Sequence, residues 1–277
     1  MVREVGTRLT VPLPEFPPSP GMAESSRGDV VFRRFGILQE DLAVDFSTSD
    51  RARLGTELLD LCVEDPFAVL PPEFFLSLSI GKRIECLLFL ATGSTGASLS
   101  FPFNCRECGE ELELELSLGE LSDLQKASDH LDEIAVEISG RAITLRKASA
   151  SDQAEWSTLV YDDEYQAAAG IVTRLADEDV LPDRLGKRDL EAIEQALDEA
   201  DPLVNLGCRV DCPVCETAND REVDLFETAV QMLERQQEQA IVMVHRIASR
   251  YHWSEQEIFR VPERRRQQYL ELLSATR

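Results

Sequence analysis

The sharpest change of pattern along the chain falls at "ELELELSL", where charged and apolar positions alternate from Glu111 to Leu118. A period of two predicts a strand with Leu112, Leu114 and Leu116 on one face and the glutamates on the other. "EIAVEISGRAITLRKA" predicts a second strand pair, turning at Ser139-Gly140. Between Leu38 and Ala91 the period is helical, clearest in "RARLGTELLDLC" and "GKRIECLLFLA", with Pro66, Pro71 and Pro72 breaking the middle. "GSTGAS" at 93–98 reads as a loop, and 150–200 returns to helix until Pro202. From Leu225 runs the longest amphipathic helix. Phe226, Val230, Leu233, Ala240, Val244, Ile247 and Tyr251 form its stripe, and Gln237 interrupts it. "SEQE" at 254–257 is a capping box for a short helix, and Pro262 suits the first turn of the last one.

These elements predict an α+β fold, predominantly helical. Its expected parts are an extended Pro/Gly/Ser-rich arm (1–35), a helical region (36–103), a first cysteine knuckle with strands (104–148), a helical insert (149–203), a second knuckle and strand (204–226), and a C-terminal helical docking region (227–277). Composition narrows the class. The chain has 277 residues, 43% of them hydrophobic, enough for a sizeable core. A net charge of −24 opposes nonspecific binding to nucleic acid or anionic membrane. The charge is uneven: residues 241–277 carry seven Arg and four Glu, a net +3, which leaves −27 on the rest. A basic tail on an acidic body predicts a docking surface. No apolar run is long enough for a membrane span and no secretory signal is visible, so a cytoplasmic location is expected.

Seven cysteines include two CxxC pairs, "CREC" and "CPVC". In a chain without a secretory signal this favours a metal site over a disulfide scaffold. Two intervening residues let both sulfurs of a pair reach one ion at about 2.3 Å. Cys105, Cys108, Cys212 and Cys215 are therefore read as ligands of one structural Zn2+, forming a split zinc ribbon. Gly109 suits the tight turn after the first pair, and Glu216 stands in its place in the second. The 103 residues from Gly109 to Asp211 would be an insertion within the ribbon, tolerable because loop-closure entropy grows slowly with length. Two unrelated thiol pairs, or a redox dithiol, are the rival readings. A redox pair wants a helix directly after it, whereas strand patterns follow both pairs here. "CRVDCPVC" also has the spacing of an iron–sulfur motif, but it sits near the chain's end and leaves "CREC" unexplained. Cys208 is read instead as an inward strand residue, and Cys62 and Cys86 as core.

Catalytic signatures are lacking. His130, His245 and His252 have no metal-protease spacing, "SIGKR" lacks the rest of a phosphate loop, and "YDDEY" is one acidic cluster among 52 carboxylates. Four thiolates leave a zinc ion no open position, so no enzyme and no small-molecule substrate are expected. Arg260, Arg264, Arg265 and Arg266 raise a second possibility, a zinc-ribbon nucleic-acid-associated factor, which the acidic remainder opposes.

The C-terminal third, "CPVC", "VDLF", a long helix and then "VHRIASRYHWSEQEIFRVPERRRQQYLELL", resembles the baseplate hub assembly proteins of T-even-like contractile phage tails. Related chains occur in bacterial contractile injection systems. The likeness covers about residues 70–277 in layout, and is most specific from Tyr251 to Leu270. It departs at Glu216, where a Gly is usual, and in the Pro-rich arm. The resemblance implies a non-enzymatic baseplate component or assembly chaperone that partners hub or baseplate subunits. It also implies zinc ligation at the same four cysteines, and a cytoplasmic location or incorporation into a tail-like particle.

Overall fold

The chain's computed structural model describes residues 10–14, 30–94, 96–131, 133–138, 140–176 and 185–275. It is α+β, with about half of the described residues helical and the strands in short antiparallel groups.

The helix at the centre is α3 (Ile80–Thr92), whose residues 81–91 are all buried. Ser79 caps its start by accepting the Lys82 N–H, and Gly93 ends it at φ +64°. Against it pack α1 (Arg51–Cys62) and the first half of α8 (Leu225–Tyr251). Leu58, Leu59, Leu87, Leu88, Leu225 and Leu233 share the resulting core. At 27 residues α8 is about 40 Å long. Gln237, the break in its apolar stripe, donates to the carbonyls of Asp41 and Val44, so a buried backbone edge is satisfied there.

Of the stretch 1–35 read as an extended arm, residues 1–9 and 15–29 lie outside the described ones. Part of the remainder is paired: β1 (Thr10–Pro12) and β2 (Val31–Arg33) join β3 (Val63–Glu64) in an antiparallel sheet. Phe32 and Phe35 enter the main core. Arg33 is buried with Asp41 in a two-bond ion pair at 2.7 and 3.0 Å, and it also donates to the Leu61 carbonyl. Asp41 in turn accepts the N–H groups of Ile37 and Leu38. The pair ties β2, the 3-10 helix Gln39–Ala43 and the end of α1 together.

Two further departures concern 93–128. The predicted loop at 93–98 gives way at Ser98 to β4 (Ser98–Asn104), which pairs with β5 (Glu111–Ser117). After β5 the chain enters α4 (Leu118–Ser128), started by a Ser117/Glu120 capping box. The hairpin β6 (Glu133–Ile138) and β7 (Arg141–Arg146) forms as predicted, with Gly140 at φ +78° in the turn; Ser139 lies outside the described residues. Its inner face packs with α6 (Glu164–Leu175) and α7 (Lys187–Ala200) in a second core of Ile134, Ile138, Ile143, Val172 and Ile193. Between β7 and α6 lies the short α5 (Ala150–Trp156).

A polar cluster joins the two cores. Asp201, directly after α7, accepts the Gly81 N–H at 2.8 Å, the Gln125 amide at 2.9 Å and the Ser79 hydroxyl at 3.1 Å. Next to Gly81, Lys82 is buried in ion pairs with Glu85 and Asp129, each at 2.6 Å. The Gly-Lys of "SIGKR" thus has a structural role. A Cβ on residue 81 would stand 2.2 Å from Asp201 Oδ1.

Beyond α8, α9 (Glu255–Arg260) opens with the Ser254/Glu257 capping box, and α10 (Glu263–Ala275) follows Pro262. Arg266 does not join its neighbours in an exposed basic patch. It is buried, donates to the Ile37 carbonyl and lies over the Phe259 ring, fixing α10 to the body. Arg34 pairs with Glu263 at 3.0 Å on the same seam.

Gly81→Ala should lower stability by about 2–3 kcal/mol, because the methyl displaces a buried carboxylate and orphans the N–H groups it serves. A urea-unfolding midpoint equal to that of the parent protein would count against this reading.

Candidate metal centre

Both CxxC pairs sit at the tips of hairpins. β4 and β5 flank Cys105–Glu110, and β8 (Leu206–Asp211) and β9 (Ala218–Val223) flank Cys212–Thr217. The two loops close in the same way. The Cys105 N–H donates to the Glu110 carbonyl at 2.7 Å, and the Cys212 N–H to Thr217 at 3.0 Å. In return the Cys105 carbonyl accepts the Gly109 N–H, and the Cys212 carbonyl accepts that of Glu216. Both return residues are left-handed, Gly109 at φ +76° and Glu216 at φ +57°. Glycine adopts this conformation without strain, and glutamate does so at some cost.

Closing the loops together brings all four sulfurs to one point. They lie within 4.8 Å of one another, with Cys105–Cys215 and Cys108–Cys212 at 3.6 Å. A metal ion at about 2.3 Å from each of four thiolates requires tetrahedral edges of about 3.8 Å, so the donor set could hold one. Cys105 and Cys212 are buried, Cys215 is half-buried and Cys108 is exposed. The four residues named from sequence are thus the four that meet. Cys208 stays apart, half-buried on β8, and Cys62 and Cys86 are in the main core.

The local electrostatics suit a cation. The N–H groups of Cys108 and Glu107 point at the Cys105 sulfur and bring its pKa down to about 6. The Thr217 hydroxyl and N–H likewise lower Cys215. Cys108 accepts the Glu110 N–H, which lowers it, but the Cys215 sulfur, desolvation and the other two sulfurs outweigh this and push it up to about 12. Four sulfurs this close cannot all carry negative charge unless a positive ion stands between them. Among the described residues few other contacts join the tips. Their apolar cluster comprises Cys105, Cys212 and Leu112, with Phe103 and Cys215 packed against it. Arg221 of β9 stacks on Phe103 of β4 at 4.3 Å.

One supporting residue escaped the sequence reading. Asn219 is buried on β9; its amide nitrogen lies 3.7 Å from the Cys105 sulfur and donates to the Thr217 carbonyl at 2.9 Å. Its oxygen accepts the Arg106 N–H at 3.0 Å, so it braces the opposite knuckle. The matching place in the first hairpin is Leu112, an apolar inward position. That equivalence was the available signal for an inward-facing Asn219.

Asn219→Ala should weaken metal retention 10- to 100-fold, as loss of an outer-shell partner does, read by competition with a chromogenic chelator. Glu216→Gly should raise the thermal midpoint, with about 1 kcal/mol gained from relief of the left-handed turn. Metal affinity should fall as pH drops from 8 to 5, because protons compete for the thiolates. At pH 7.5 binding should release at least the Cys108 proton, measurable by calorimetry in buffers of different ionisation enthalpy. Comparison with protein-family models, curated proteins and solved structures finds no match for this chain.

Proposed function

We propose that the protein is a non-enzymatic, zinc-stabilised component or assembly factor of the baseplate hub of a contractile tail or injection system. The observation that carries the non-enzymatic part is the closed donor set. Four cysteines surround one point, and a tetrahedral ion held by all of them has no position left for water or substrate. In this reading the ion is Zn2+, one per chain, and the paired hairpins are a zinc ribbon split by residues 109–211. The site then serves to hold the chain's two halves in register.

The baseplate assignment rests on the resemblance of the C-terminal third. Compatible with it is a surface at that end of the molecule where Tyr251, Trp253 and Tyr269 pack ring to ring, with centroids 5.2–5.3 Å apart. Half-buried aromatics beside the exposed Arg264 and Arg265 are the residue types that anchor protein interfaces. The nucleic-acid reading has less support, since Arg266 is committed to the protein's own backbone and Arg209 lies 3.9 Å from Asp220. No helix among the described residues is long and apolar enough to cross a membrane.

Elemental analysis of the purified chain should give about one zinc per molecule, and a folded, metal-free protein would end the zinc-ribbon reading. Affinity capture from the native host should recover sheath, hub or spike proteins. A polymerase- or ribosome-dominated set would support the nucleic-acid reading in its place.

A further inference from the structure

Away from the sulfurs, the insert carries a groove of about 690 Å3 between α6 and α7, walled by Ile171, Leu175, Leu190, Ile193 and Leu197 and reaching Trp156. Its volume is that of a binding cleft rather than a packing defect. Most of these walls stop short of full burial: Ile171, Leu190 and Leu197 are half-buried, and Tyr165 at the rim is 39% exposed. Helices packed only to stabilise the insert would close over such a stripe.

One edge of the groove is acidic. Glu191, Glu194 and Asp198 line it and also line an adjoining cleft of about 430 Å3, together with Glu199 and, among the described residues, no Lys or Arg. On α7 they fall at i, i+3 and i+7, beside the apolar series Leu190, Ile193 and Leu197. Among the described residues their neutralisation is slight. Lys187 reaches Glu191 only at 3.7 Å and is 91% exposed, and Asp198 accepts a neutral amide from Asn205. The groove's other cation, Lys147, is turned to the Ser128 carbonyl.

We propose that this groove docks an amphipathic helix of a partner protein, whose apolar face fills the cleft and whose Lys or Arg residues lie along Glu191, Glu194 and Asp198. Charge complementarity selects this occupant. An anionic lipid surface or an acidic helix would meet three carboxylates on a body of charge −27. The mode is helix-in-groove recognition, with apolar anchors spaced by three and four residues and a basic edge setting orientation. The inference does not depend on the baseplate reading.

The chain's two tryptophans make it testable. In a Trp253→Phe background, emission reports Trp156 alone. The probe is a synthetic 18-residue helical peptide with Leu on one face and Lys along its flank; the control carries Glu in place of Lys. The Lys peptide should give a saturable change in Trp156 emission that weakens with added salt. Glu194→Lys, an exposed position without an ion pair among the described residues, should reduce affinity at least tenfold while leaving the melting curve unchanged. Glu194→Gln should lose less. No saturable response, an equal response to the Glu peptide, or undiminished binding by Glu194→Lys would overturn the proposal. So would concentration-dependent self-association abolished by Glu194→Lys, which would assign the groove to a second copy of this chain.

Discussion

Four sulfur atoms have to share one small volume, and the rest of the architecture follows from meeting that demand. The hairpin tips that carry them are short, have almost no apolar core of their own, and come from positions more than a hundred residues apart. N–H groups aimed at the sulfurs favour thiolates, while the sulfurs' mutual proximity opposes them. A positive ion would resolve that conflict, and bound there it would be the main link between the two tips. What lies between Gly109 and Asp211 leaves and returns through this point. It is therefore constrained as a loop whether or not its own contacts are strong.

Those contacts are of a different kind. The insert meets the body through Leu118, Leu121 and Leu203, which enter the main core, and through a polar cluster in which Asp201 answers three donors and Lys82 answers two carboxylates. Burial pushes the pKa of Asp201 and of Glu85 upward, which is the mark of charge held in a poorly solvated place. Such groups contribute less to stability than a well-packed apolar seam would. They do fix position: Asp201 fits only where residue 81 has no side chain. The seam thus sets the insert's orientation, and with it the direction in which the α6–α7 groove faces.

Local pattern made much of this legible. The alternation of "ELELEL", the stripe of α8 and the twin CxxC pairs each translate into the observed element, because a period or a spacing fixes which side chains share a face. Reading failed where a partner is distant or a signal is mixed. β4 carries only a weak alternation, with Pro102 within it and Leu99 its one fully buried side chain. The Ser117/Glu120 box announced α4, but it was masked by reading the strand through to Leu118. Arg266 looked like one member of a basic run, and only the carbonyl of Ile37, 229 positions away, explains its burial. Asn219 had only its equivalence with Leu112 to mark it as inward, and nothing to show its partner, since what it braces is a knuckle in the other half of the chain.

The distance between the two knuckles also has a meaning in time. A ribosome adding about 5–20 residues each second needs roughly 5 to 20 s to make the 103 residues that separate them. For that interval Cys105 and Cys108 lack the pair they meet in the folded chain, and their thiols are open to oxidation or to a knuckle of a neighbouring chain. The order of synthesis gives the insert that long to fold before its second anchor arrives. The pair made first is thus the one whose thiols stay open longest before the second pair can meet them.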